Sequence, residues 1–215
     1  DMDRIKQMGE GYMELREIIK LNNALGNPTI IDGLYYYIPG CGKVVVRGMD
    51  KHIRKAKILK GTEIIVDGAF YNYVDLHEVD IPEGVTEIGG SAFYNSSIKD
   101  IKIPDTVTYI GTNAFKGCGS LENCKLSTKL EKLSESVFMD CSKLKRLELP
   151  QLKEIGPWAC AFCSSLETIE IPDSVESISE YAFTYCNNLK YVILPIRLYK
   201  YRKTAFDKIK IKYRW

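Results

Sequence analysis

Histidine is scarce in this chain: among 215 residues only His52 and His77 carry an imidazole. No His-x-x-x-His pair exists, so a helical zinc-hydrolase site has nothing to build on. No stretch reaches the roughly 18 apolar residues of a membrane-spanning helix. No charged segment followed by an apolar one opens the chain in the manner of a secretion signal. No Ser-His-Asp arrangement, paired-carboxylate motif or cofactor fingerprint stands out, so the sequence names no enzyme chemistry and no cofactor. Net charge is only +2, which argues against a nucleic-acid protein.

What charge there is lies unevenly. Residues 197 to 215 hold eight Lys/Arg and one Asp, leaving 22 basic and 27 acidic residues for the rest. Seven cysteines cannot all pair within one chain. A set of free thiols leans to a reducing compartment. With Met2 read as the start, the missing leader points to the cytosol as well. With Asp1 read as a processed, truncated or tagged end, the missing leader says nothing about location.

The chain repeats itself. "LHEVDIPEGVTEIGGSAFYNSS" starts at Leu76 and "IKDIKIPDTVTYIGTNAFKGCGS" at Ile98. Further copies start at Leu121, Leu144, Leu166 and Leu189, 22 or 23 residues apart. A fainter copy starts at Ile53 and keeps Ala69 and Phe70 in register. Such a period signals a solenoid whose units cannot bury an apolar face alone and must stack. Within each copy Leu-x-x-Val/Ile-x-Ile alternates as a short strand, and stacked copies make a parallel sheet. Pro ends the strand because it cannot donate to the ladder. Val-x-x-Ile-Gly adds a second apolar pair and a turn, and Ala-Phe adds one small and one large core residue. Cys118, Cys141, Cys163 and Cys186 follow at a fixed place and read as a column of small buried hydrophobes. The copy from Leu144 is one residue short after its Pro, and Cys160 stands where the others have Phe.

The unit lacks the Asn ladder of the commonest leucine-rich pattern. It resembles the BspA-like (Treponema pallidum type) leucine-rich repeats, on the motif L-x-x-I-x-I-P-x-x-V-x-x-I-G-x-x-A-F-x-x-C over about residues 53 to 210. That resemblance implies a leucine-rich-repeat solenoid with a parallel sheet along one face. It also implies a cell-surface or secreted protein that adheres to other proteins or host surfaces; the alternative is cytoplasmic.

Residues 1 to 52 do not follow the unit. Ile5, Met8, Tyr12, Leu15 and Ile19 recur at helical spacing, and two β-rich runs flank a Pro-Gly-Cys-Gly turn. The region reads as an N-terminal cap or a degenerate first repeat, with residues 53 to 215 as the solenoid of about seven repeats. At the other end Ile209, Ile211, Tyr213 and Trp215 alternate with Lys208, Lys210, Lys212 and Arg214. This reads as a final edge strand whose lysines discourage pairing with another chain. Its sharper reading is a basic patch for a polyanion or an anionic membrane.

Three short motifs have plain readings. Cys160-Ala-Phe-Cys163 is one Cys-x-x-Cys, short of the four ligands zinc wants, and its cysteines sit at core positions. The "GCGK" stretch lacks Walker spacing and reads as a turn. Its Cys41 is the candidate exposed thiol, and an enzyme would need it beside a histidine. Asn95-Ser96-Ser97 is a formal glycosylation sequon.

The outward strand positions form two columns of mixed sign. Lys55, Glu78, Asp100, Asn123, Arg146, Thr168 and Tyr191 make one; Lys57, Asp80, Lys102, Lys125, Glu148, Glu170 and Ile193 the other. Clustered positive charge, which a phosphate backbone needs, is missing. The expected function is non-catalytic recognition or adhesion, with a protein or glycan as partner. The candidate contacts are Glu78, Asp100, Lys102, Arg146, Glu148, Thr168, Tyr191 and Ile193. The C-terminal half is favoured because Tyr and Arg dominate binding hot spots.

Overall fold

A computed structural model describes residues 15–24, 26–38, 43–206 and 209–214. Of the expected N-terminal helix, the part from Leu15 is α1, Leu15–Ala24, whereas Ile5, Met8 and Tyr12 lie outside the described residues. The backbone of Gly26, at φ +71°, turns the chain beyond it, as glycine does after many helices. Cys41 and its turn lie outside the described residues. On either side are β2 (Leu34–Tyr37) and β3 (Val45–Gly48), paired antiparallel. β1 (Thr29–Ile31) pairs antiparallel with β2 through Asp32-Gly33. Both of those residues have positive φ, the geometry that selects Asp-Gly in two-residue hairpins. From β3 onward the pairing turns parallel, through Val45↔Ile64 to β5 (Ile64–Ile65).

The Leu-x-x-Ile-x-Ile segments form one column of strands. These are β4 (Lys55–Lys57), β6 (Glu78–Asp80), β8 (Asp100–Lys102), β10 (Asn123–Lys125) and β12 (Arg146–Leu147). β14 (Thr168–Glu170) and β16 (Tyr191–Pro195) complete it. β17 (Ile211–Arg214) pairs parallel with β16 and is the edge strand that the alternation at the C-terminus suggests. The central residue of each full strand points inward and its neighbours outward, for example exposed Asp100 and Lys102 around buried Ile101.

The Val-x-x-Ile segment does more than the sequence suggests, because it is a strand too. β5, β7 (Glu87–Ile88), β9 (Tyr109–Ile110), β11 (Lys132–Leu133), β13 (Glu154–Ile155) and β15 (Ser177–Ile178) build a second sheet face. A backbone bond across Pro-x-x-Val, such as Val107 N–H to Pro104 O at 3.0 Å, carries the chain from one face to the other. The Gly after Ile is there for space: a Cβ on Gly111 would sit 2.4 Å from the Gly90 nitrogen.

Neither face is unbroken. Pairing fails between β9 and β11 on the second face and between β12 and β14 on the first. At each break the other face stays paired, β8 to β10 and β13 to β15. At the first break, Ser134 donates its hydroxyl to Ile110 O and Ser127 to Val107 O.

The core fills with ladders of like residues. Phe70, Phe93, Phe115 and Phe138 stack at centroid distances of 5.1, 5.2 and 5.4 Å. Phe183 and Phe206 resume the stack beyond Cys160. From Phe70 to Phe183 each stacked Phe N–H donates to the next turn, as Phe93 does to Ala114 O at 2.7 Å, so these buried groups are satisfied. The cysteine column is buried and free of disulfides. Its thiols also act as donors. Cys118 Sγ reaches Phe93 O at 3.1 Å, Cys141 reaches Phe115 O at 3.2 Å, and Cys163 reaches Phe138 O at 3.1 Å. Burial pushes the Cys118 thiol up to about 11, and that of Cys141 well above the ordinary thiol range.

The turn around each Ala-Phe has two left-handed positions. In the earlier turns these hold Gly68, Ser91, Asn113 and Ser136, and Asn72, Asn95, Gly117 and Asp140. The later turns hold Trp158, Phe162, Tyr181 and Tyr185 there, all at φ between 56° and 60°. Left-handed backbone on a residue that is not glycine costs roughly 1–3 kcal/mol.

Candidate functional site

The strand register sets outward residues side by side within each paired stretch, on either side of the break between β12 and β14. Glu78 faces Asp100, Asp100 faces Asn123, and Asn123 faces Arg146. Thr168 faces Tyr191, and Glu170 faces Ile193. The eight candidate residues do not gather at one place. Glu78 pairs with Lys55 at 2.6 Å, and Asp100 accepts from the Asn123 amide at 2.5 Å. Lys102 stands beside Lys125 in the second column. Those three hold the N-terminal part of the face. Tyr191 and Ile193 lie at the other end, half-buried beside β17, with the Lys212 ammonium 3.7 Å from the Tyr191 ring centre.

Between them the face opens. In four repeats the residue three beyond the strand-ending Pro or Ser bonds back to it, as Val175 N–H does to Pro172 O at 3.2 Å. The repeat that is one residue short replaces this with a tighter bond, Leu152 N–H to Pro150 O at 2.7 Å. Beside that γ-like turn β12 is two residues long and unpaired with β14. The result is a cleft of about 550 Å³. Arg146, Glu148 and Thr168 of the candidates line it, together with Glu170, Asp173 and Arg214.

Arg214 comes from the last strand and fixes one wall. It pairs with Glu170, with Asp173 at 3.0 Å, and donates to Ile171 O at 2.9 Å. Arg197 donates to Asp173 O. The basic C-terminal segment thus turns several cations onto its own fold: two arginines here, Lys212 over Tyr191, and Arg202 over the Tyr199 ring at 3.8 Å. Sequence reasoning missed the Arg214 contacts, which span 44 residues to Glu170. The shortened repeat was the one signal that pointed to the place.

Elsewhere, exposed ion pairs join neighbouring turns: Lys145–Glu122, Lys153–Glu131, Lys132–Glu154 and Lys190–Glu167. Each contributes little on its own. His52 and His77 are exposed; His52 Nδ1 lies 3.2 Å from Asp75. Cys160 and Cys163 are wholly buried.

A two-faced parallel solenoid with this unit is the fold of a known repeat. The family described as "BspA type Leucine rich repeat region" matches residues 49–166 and 153–214, in six copies. The chain belongs to the BspA-type leucine-rich repeat family. A crystal structure of a leucine-rich cell-surface protein from Faecalibacterium prausnitzii is 30% identical, with a TM-score of 0.53 over 75% of this chain. The match spans only 38% of that protein's length. The T. pallidum leucine-rich repeat protein is 23% identical, with a TM-score of 0.55 over 80% of this chain and 73% of its own. A Bacteroides ovatus leucine-rich repeat protein is 23% identical, with a TM-score of 0.52 over 86% of this chain and 67% of its own. These two show the fold alone. No curated protein matches. Among the described residues of this BspA-type chain, no helix is long and apolar enough to cross a membrane.

Proposed function

We infer that this solenoid is a non-catalytic recognition or adhesion scaffold for a protein partner, working at the cell surface or after secretion. The observation that carries the reading is the cleft where the strand face opens between β12 and β14. There Arg146 and Glu148 stand exposed on one wall, and half-buried Thr168 and exposed Glu170 on the other. Backbone edges that have lost their parallel neighbour, with charges of both signs beside them, suit a polypeptide better than a polyanion. The F. prausnitzii relative, described as a cell-surface protein, supports the location.

The test is adhesion of beads carrying the chain to cultured cells. Wild type is compared with an Arg146→Glu/Glu148→Lys variant, and cells are used untreated, trypsin-treated or deglycosylated. Expected is loss of adhesion with trypsin and at least a tenfold drop with the variant. Adhesion that survives trypsin but not deglycosylation makes the partner a glycan and overturns the protein reading. Adhesion indifferent to the variant removes the cleft from the function.

A further inference from the structure

The later turns put Trp158, Phe162, Tyr181 and Tyr185 at left-handed positions, where the earlier turns use residues that tolerate that backbone. Tyr181 and Tyr185 are also 47% and 58% exposed. Neither the strain nor the exposure helps the fold, and strain held on an outward surface points to a use there. Trp158 stacks on Tyr181 at 4.6 Å and Phe162 on Tyr185 at 4.7 Å. The preceding position in each column is Ser136 or Asp140, which supplies no ring. The surface therefore rises by one aromatic ring at this turn. Trp158 and Phe162 are half-buried, Ser136 is buried, and each of the two rings has an aromatic partner on its Tyr181 or Tyr185 side alone among the described residues.

Carboxylates flank the step, with Lys143 three residues beyond Asp140. Glu135, Asp140 and Glu180 are exposed, and none has an ion pair or side-chain hydrogen bond among the described residues. Glu122, Glu131, Glu154 and Glu167 on neighbouring turns each hold a lysine instead. Lys203 follows Glu180 one turn on, so the Trp158 side of the step is the uncompensated one. Aromatic faces attract cations, and free carboxylates beside them add charge-assisted hydrogen bonds. The chain makes the ring contact itself, with Arg202 over Tyr199 and Lys212 over Tyr191.

We propose that the Trp158–Phe162 step docks a cationic side chain of a protein partner, arginine before lysine. A guanidinium is flat enough to lie on the ring while forking onto Asp140. This rests on the recognition reading and names a second contact for it, away from the strand-face cleft.

The experiment uses a Trp215→Phe background, which leaves Trp158 as the one tryptophan of the two in the chain. Its fluorescence is followed while a short Arg/Gly peptide is added, then the same peptide with citrulline for arginine, at low and high salt. Expected is a saturable change with arginine, none with citrulline, and weaker binding at high salt. Asp140→Asn and Phe162→Asn, each in that background, should weaken binding at least tenfold. Asparagine already occupies this turn position at Asn72 and Asn95, so both variants should keep the wild-type melting temperature or exceed it. Equal binding of the citrulline peptide, no saturation with arginine, or an unchanged Kd in both variants overturns the proposal. A neutral oligosaccharide that shifts the fluorescence where the arginine peptide does not overturns it too. Bead adhesion that needs Arg146 and Glu148 but ignores Phe162→Asn leaves the recognition reading standing and removes the step.

Discussion

Residues 98 to 120 and residues 144 to 165 are copies of one unit with opposite characters. The first has the full Pro-x-x-Val turn, a Phe in the stack and strands paired on both sides of its first face. The second is one residue short, has Cys160 in place of Phe, and loses β12 from β14. The regular copy is shaped by packing. The regular copy loses a neighbour only on its second face, at β9; the irregular copy gives up first-face pairing and aromatic stacking, and the cleft and the aromatic step lie at or beside it. The difference teaches that a repeat protein can create a local site by subtracting from a unit rather than adding to it.

The sharpest way to break the comparison is through the stack. Phe115→Ala should cost about 3–5 kcal/mol, because the cavity would open between two rings. Cys160→Ala removes only one sulfur from a place that has no stacking partner, and should cost roughly 1–2 kcal/mol. Urea unfolding of both variants decides it; equal losses would mean that the stack adds nothing special.

The thiol column gives the next effect. An exposed thiol ionises near about pH 8.5, whereas Cys118 in the fold does so only at about 11. Below pH 8.5 both states keep the proton and the full contribution is present. Above it the unfolded chain releases protons that the folded chain retains, so stability falls as pH rises. Each such thiol adds about 1.4 kcal/mol per pH unit to that fall. Denaturant midpoints measured from pH 7.5 to 10 should show this slope, and Cys118→Ser should make it shallower. A flat profile would mean that the thiols ionise in place.

The smallest effect is expected from restoring the missing residue. Inserting Asp between Pro150 and Gln151 rebuilds the regular turn and should let β12 pair with β14. A net gain of about 1 kcal/mol per new hydrogen bond is expected. Hydrogen exchange at Leu147, Leu149 and Ile169 should slow; unchanged exchange would place the cause of the opening elsewhere.

Much of the fold was legible from the chain because the unit repeats in register. Alternation in Leu-x-x-Ile-x-Ile fixes which residues face inward, and seven copies average out local exceptions. The second face was not legible as a sheet. A two-residue strand such as Glu87–Ile88 is too short to show alternation and exists only because its neighbours stack on it. The candidate site was half legible. Arg146, Glu148 and Thr168 were placed by register, but the cleft needs Arg214, which a distant strand delivers. The aromatic step was written in the repeat alignment as Trp158 and Phe162 replacing Ser, Asn and Asp. Reading it requires knowing that those positions are left-handed, and spacing alone carries no backbone angle.

The two breaks in strand pairing never fall between the same pair of repeats. One lies between β9 and β11, the other between β12 and β14, and each is spanned by an intact ladder on the opposite face. The arrangement is that of bricks laid with staggered joints. Under the adhesion proposed above, a crack that starts in the cleft meets unbroken β13–β15 pairing across the wall. It can open the cleft without parting the chain of repeats, so a pull on the partner can distort the grip before it severs the scaffold.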